Sequence, residues 1–112
     1  MLVNLTPHPV TICAQDGGAV LTVPPSGTVA RIAESHTPGA PVDGVPGVMV
    51  TLGEVEGLPD PAPDVTCVVS TPLAMGLLAA RMDRRDVVYP ADMVRDSDGR
   101  IIGCRSLARL RS

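Results

Sequence analysis

Val65-Thr66-Cys67-Val68-Val69-Ser70-Thr71-Pro72-Leu73-Ala74 opens the stretch, running on to Pro90, whose reading decides the fold. Val65 to Val69 is β-branched, apolar and uncharged, the pattern of a strand buried on both faces. Ser70 and Thr71 are suited to an N-cap, and Pro72 to the first helical position. Leu73 to Met82 is rich in Leu, Ala and Met, which lose little entropy in a helix. Arg84-Arg85-Asp86 is expected to end that helix, and Asp86 to Pro90 reads as a short strand. The unit is strand, helix, strand, and such a crossover joins parallel neighbours.

Around this unit the composition sets limits. A chain of 112 residues is read as a single domain spanning 1–112. Hydrophobic residues make up 45% of it, yet Tyr89 is its one aromatic, so the core is built from Val, Leu, Ile, Met and Ala. Twelve prolines and eleven glycines imply short elements and many turns. Every basic residue is Arg. Residues 1–80 carry one Arg against seven acids, whereas residues 81–112 carry eight Arg against five Asp. The C-terminal third is thus locally positive on an acidic protein, which suits a small anion or an acidic partner. A net charge of −3 disfavours a duplex nucleic-acid partner, and one Tyr disfavours stacked single strands. Cys13, Cys67 and Cys104 lie far apart without a Cys-x-x-Cys pair, so neither a disulfide framework nor a metal site is expected. MLVNLTPHPV lacks a charged start and a long apolar run, and no stretch reaches membrane-spanning length. Those features lead to an expectation of a cytoplasmic protein with no membrane partner and no cofactor.

In chain order, Leu2 to Leu5 reads as a first strand, broken by Thr6-Pro7-His8-Pro9. Val10 to Ala14 and Ala19 to Val23 form a hairpin about Asp16-Gly17-Gly18. Thr28 to Ala33 is a further strand. Residues 34–47, with three Pro, three Gly and His36, are expected to be a long exposed loop containing a miniature Val42-Asp43-Gly44-Val45 hairpin. Val48 to Leu52 is a strand, and Gly53 to Pro63 an acidic connection. Ser97-Asp98-Gly99 marks a last hairpin, and Arg105 to Leu110 either extends its strand or forms a terminal turn. The expected class is α/β, with α+β as the alternative: a mixed sheet of short strands with β-hairpins and one main helix after a central strand.

Asn4-Leu5-Thr6-Pro7-His8, Pro25-Ser26-Gly27-Thr28-Val29-Ala30-Arg31 and Gly53-Glu54-Val55-Glu56-Gly57-Leu58-Pro59 carry a resemblance across nearly the whole chain. So do Val69-Ser70, Asp86-Val87-Val88, Val94-Arg95-Asp96 and Gly99-Arg100-Ile101-Ile102-Gly103. With these motifs the chain resembles a family of short uncharacterised proteins found in bacterial and bacteriophage genomes. Thr71-Pro72 departs from that pattern, in which apolar residues often follow Val69-Ser70. Phage occurrence implies an accessory or host-interaction role, for instance a sponge for a host immune messenger. The resemblance attaches no catalytic residue.

Candidate ligand-binding residues are His8, Ser70, Thr71, Leu73, Ala74, Arg84 and Arg85. A helix start after a strand offers free N–H groups to an anion, here those of Leu73 and Ala74 beside the Ser70 and Thr71 hydroxyls. Plain N-capping is the commoner use of such residues. His8, held between two prolines, is positioned to meet a phosphate or act as a general acid, although a turn histidine is more often structural. Arg84 and Arg85 either complement the helix dipole or clamp an anion. About 15 Å of helix separates them from Ser70, so a shared small ligand requires a second subunit. Glu54 and Glu56 read as solvated acids, and no Gly-rich phosphate loop is present. The leading expectation is a binding module for a phosphorylated metabolite or nucleotide signal. Its alternative is a non-enzymatic interaction or self-assembling structural protein, and the third is a metal-independent phosphodiesterase using His8. A thin core with one helix points to a homo-oligomer.

Overall fold

A computed structural model describes residues 1–16 and 18–110. Its strands are β1 (Leu2–Asn4), β2 (Val10–Cys13), β3 (Ala19–Val23), β4 (Arg31–Val42), β5 (Val45–Glu56), β6 (Thr66–Val68), β7 (Val87–Arg95) and β8 (Ile101–Arg109). One helix among the described residues, α1 (Thr71–Ala79), separates β6 from β7. Cys67, Val68 and Val69 are at most 1% exposed, as an uncharged β-branched run buried on both faces should be. β6 pairs in parallel with β1 on one side and with β7 on the other. β7 and β8 pair antiparallel about the Ser97-Asp98-Gly99 turn, and β8 runs through Arg105 to Arg109 rather than turning. β2 and β3 form the expected hairpin, although Gly17 of its turn lies outside the described residues. A parallel contact between Ile12 and Cys104 joins the hairpin to β8.

The resulting sheet, in the order β1-β6-β7-β8-β2-β3, curls until its ends meet. Pro25, just beyond β3, bridges Asn4 in β1, and the Ser26 N–H donates to the Asn4 carbonyl at 2.9 Å. The α/β expectation is thereby overturned: 53% of the structure is strand and 8% helix. A nine-residue helix covers one side of part of a sheet, and the sheet buries its other side by folding on itself. α1 lays Leu73, Ala74 and Leu77 against Cys67, Val69 and Val87, with Leu5 and Ala30 completing this layer. Asn4, Val68 and Val88 stand side by side on the opposite face, since they share register across three strands.

Two boundaries differ from expectation for identifiable reasons. The helix stops at Ala79, not beyond Met82. Arg81 takes a left-handed φ of 55°, its N–H donates to the Leu78 carbonyl, and the Met82 N–H reaches back to Leu77. These two bonds form a Schellman closure, which usually places Gly where Arg81 stands. Residues 34–47 are no loop. They belong to a two-stranded β4–β5 ribbon whose Asp43-Gly44 turn has φ of 47° and 79°. Both values are positive, as a type I′ hairpin turn requires, and Gly44 adopts its value without steric cost. This ribbon is an arm. It lengthens the molecule to a radius of gyration of 16.3 Å, against about 13 Å for a rounded domain of this length. The base of the arm rests on α1 where Gly76 has no side chain; a Cβ there would collide with Ile32.

Closure depends on one buried amide. Asn4 is 1% exposed, and its Nδ2 donates to the carbonyls of His8 (2.8 Å) and Val23 (3.0 Å). Its Oδ1 accepts from the Thr6 N–H at 2.9 Å and lies 2.7 Å from the Thr6 hydroxyl. That hydroxyl is also 2.9 Å from the His8 carbonyl, so its single proton serves one of the two acceptors. Asn4→Ala should lower the unfolding free energy in urea by about 2–4 kcal/mol, because buried carbonyls lose their donors. Asn4→Asp should cost as much, since a carboxylate cannot donate to either carbonyl; a loss below about 1 kcal/mol would show that closure rests elsewhere. Arg81→Gly should raise stability by about 1 kcal/mol in the same assay, by relieving the left-handed strain.

Candidate functional site

The helix start is built as its residues suggest and used as a cap. Ser70 has extended dihedrals, and its Oγ accepts from the Leu73 N–H at 3.4 Å while its carbonyl accepts from Ala74 at 3.0 Å. Leu73 and Ala74 are 1% and 0% exposed. Both backbone donors named for an anion are therefore turned inward to Ser70, and Pro72 has none to offer. Thr71 is exposed at the surface. A shallow depression of about 400 Å³ lies alongside, lined by Pro7, Arg31, Glu34, Ser70, Pro72 and Leu73. Arg31, the one arginine among residues 1–80 and not among the candidate binding residues, is its cation.

His8 is exposed, and its carbonyl rather than its ring holds the turn, through Asn4 and Thr6. Among the described residues the imidazole has no hydrogen-bond partner, so no side chain orients it as a general acid or base would be oriented. His36 meets Glu34 at 3.3 Å on the exposed arm, a contact that contributes little in water. Glu54 and Glu56 lie at the base of β5 as exposed acids.

The structure does not bring Arg84 or Arg85 to Ser70, nor does either sit in the last turn of α1. Arg84 forks onto Asp86, Nε to Oδ1 and Nη2 to Oδ2, both at 2.9 Å. Its Nη2 also donates to the Pro59 carbonyl at 2.7 Å. The fork of this arginine therefore grips a carboxylate of the same chain, neither complementing the helix dipole nor clamping a ligand anion, and ties the 57–65 connection to the start of β7. Arg85 is 91% exposed, 3.7 Å from Asp83. Bidentate contact with Arg84 holds the Asp86 carboxyl below its ordinary range and raises the guanidinium of Arg84 in turn. Burial pushes the thiols of Cys67 and Cys104 up, so both stay protonated and unreactive.

Two surfaces stand out that motif reading missed. The first is the outer part of the arm. Register places Glu34, His36 and Pro38 opposite Leu52, Val50 and Val48 on one face, with Val48, Val50 and Leu52 exposed by 61%, 53% and 44%. The same face brings Ile32 and Leu52 against α1 at its base, so a partly covered apolar stripe continues into solvent. The signal was present in the alternation of Val48-Met49-Val50-Thr51-Leu52; the flanking Pro and Gly residues concealed the length of the ribbon. The second is a groove of about 210 Å³ on the β2–β7–β8 side, lined by Pro9, Val10, Pro90, Met93, Ile101 and Ile102.

Among the described residues, no helix is long and apolar enough to cross a membrane, and no three His, Cys, Asp or Glu side chains converge as metal ligands would. Asp86→Asn should lower stability at neutral pH by about 1.5–3 kcal/mol, the range for hydrogen bonds to a charged group. Because the folded carboxyl is depressed, that contribution is complete above the unfolded pKa near 4 and disappears as pH falls below it. Wild type and Asp86→Asn should converge in urea titrations between about pH 4 and 2; a constant gap would mean that the ion pair is not its source. Comparison with protein-family models, with curated proteins and with solved structures finds no match for this chain.

Proposed function

We propose that this protein is a non-enzymatic assembly component that binds other protein surfaces, copies of itself included, through the β4–β5 arm. The observation that supports this reading is the apolar stripe of Val48, Val50 and Leu52, which runs out from the body into solvent. Val42, Val45 and Met49 add exposed apolar surface toward the tip. Val48, Val50 and Leu52 share one face and expose on the order of 100 Å² each, about 300 Å² together, the lower end of the largest apolar patches on small monomers. Patches of that size on small proteins mark contact sites. Pro38, Pro41 and Pro46 remove N–H donors from the strands near the tip, which favours docking by face over edge-to-edge strand addition. Three buried free thiols suit a reducing cytoplasmic setting.

Capture of a small phosphorylated ligand is the second reading. Its support is Arg31, exposed in the depression beside Ser70. The inward-turned Leu73 and Ala74 amides make it the weaker of the two. A thermal-shift screen with nucleotides and cyclic dinucleotides separates them, since a bound ligand raises the melting temperature and Arg31→Ala removes the rise.

The arm reading is tested by light scattering after gel filtration. Wild type should elute as a multiple of the 11.6 kDa chain, and Val48→Asp/Val50→Asp as a monomer. The variant's melting temperature should stay within a few degrees, because the positions are exposed. A wild type monomeric at every concentration, and unchanged by the double substitution, would remove the self-assembly reading.

A further inference from the structure

Resting on the arm-assembly reading, we infer that the arm of one copy lies across the outer face of α1 in a second copy and receives that copy's arm on its own helix in return. The helix carries the first observation. From Thr71 to Ala79 it has no charged residue, and a helix of that composition is normally buried all round. Here it is covered on two sides only. Leu73, Ala74 and Leu77 face the sheet, and Gly76 faces Ile32 at the arm base. Met75 and Leu78 are left pointing outward, 40% and 36% exposed, with Met82 exposed by 40% just beyond them.

Shape and area select the occupant. Arm and helix meet at an angle that holds a cleft of about 550 Å³, lined by Ile32, Leu52, Gly53, Gly76, Ala79 and Met82. On the arm side the apolar face continues past Leu52 through Val50 and Val48. On the helix side it continues from Ala79 to Met75, its neighbour one turn away. A projecting ribbon and a receiving angle thus adjoin on one surface, and a two-fold axis sets each ribbon in the other copy's angle. Such a contact is isologous and closes at two subunits. Met75, Leu78 and Met82 add on the order of 75 Å² each, which brings the apolar surface to about 500 Å². A standard interface takes about 800 Å² from each partner, of which about 56–65% is apolar. Stripe and helix face together meet that requirement, whereas two stripes packed on each other, at about 300 Å² apiece, fall short of it. Contact through β5 leaves Glu34 and His36, on β4, at the hydrated rim.

Opposite charges placed on the two halves of the contact test this arrangement. Light scattering should give wild type twice the 11.6 kDa chain mass and no larger species. Val50→Glu and Met75→Lys should each raise the dissociation constant at least tenfold. Both variants should keep the far-UV spectrum and melting transition of wild type, because the positions are exposed. An equimolar mixture of the two should form a heterodimer more tightly than either variant pairs with itself. Its Glu and Lys lie on different chains and meet only across the contact, and the second contact is wild type on both sides. If Val50→Glu breaks assembly while Met75→Lys does not, or the mixture stays monomeric, α1 is not the seat of the arm and the arm reading survives alone. Wild-type species larger than a dimer overturn the closed contact in the same way. If wild type does not assemble at all, the arm-assembly reading itself has failed.

Discussion

The Asn4 side chain holds together three pieces of backbone that would otherwise diverge. Its amide joins the end of β1, the Thr6–His8 turn and the last carbonyl of β3. Those are the places where the curled sheet closes, and the Asn4 and Leu5 carbonyls extend the seam by accepting from Ser26 and Ala30. An amide offers two donors and two acceptor sites in a fixed plane, so it satisfies carbonyls and an N–H that a hydrophobic residue would leave unpaired. Burying it costs little once every site is used. Of the Asn-Leu-Thr-Pro-His motif, then, Asn4 and Thr6 form the seam, Leu5 enters the core, and His8 contributes its carbonyl while its ring stays in solvent.

Closure of the sheet determines what remains for α1 and the arm. With one face of the sheet turned inward on Val68, Val88 and Asn4, only the other requires cover, and nine helical residues supply part of it. The arm base supplies more: Ile32 and Leu52 reach the helix where Gly76 leaves room. Beyond that contact the ribbon has no body to lie on, yet its apolar alternation continues. Arg84 performs a comparable joining task at the opposite end of the helix, where its fork on Asp86 and its bond to Pro59 anchor the connection that leads back from the arm. Arg84, which suggested a ligand site, therefore serves the fold, while Val48, Val50 and Leu52, in a segment read as a strand, form the exposed surface.

The legible parts were those whose signal is local. The buried strand at Val65 to Val69, the Ser70 cap, the β2–β3 hairpin and the Ser97-Asp98-Gly99 turn each follow from steric and hydrogen-bonding preferences acting over a few residues. The Asp43-Gly44 turn was readable in the same way, and Val48 to Leu52 was read as strand, but the full length of β4 and β5 through residues 34–47 was not. Pro38, Pro41 and Pro46 lower strand propensity, and a two-stranded ribbon tolerates them because each strand has a free edge at which a missing N–H goes unnoticed. The helix was overextended for a related reason. Leu78 to Met82 favour a helix locally, whereas the return to β7 requires the left-handed turn at Arg81.

By itself, then, the sequence determined which short segments become strands, where the helix begins and which turns are tight, because those choices are settled within reach of one or two side chains. Tertiary structure alone decided that the sheet would curl shut rather than remain open beneath a helical layer. It also decided that the Asn4 amide would be a seam, that Arg84 would face Asp86, and that the stripe on β5 would outrun its support. Each of these depends on partners brought together from distant parts of the chain, such as Asn4 with Val23 or Ile32 with Gly76. Local propensity carries no record of such meetings.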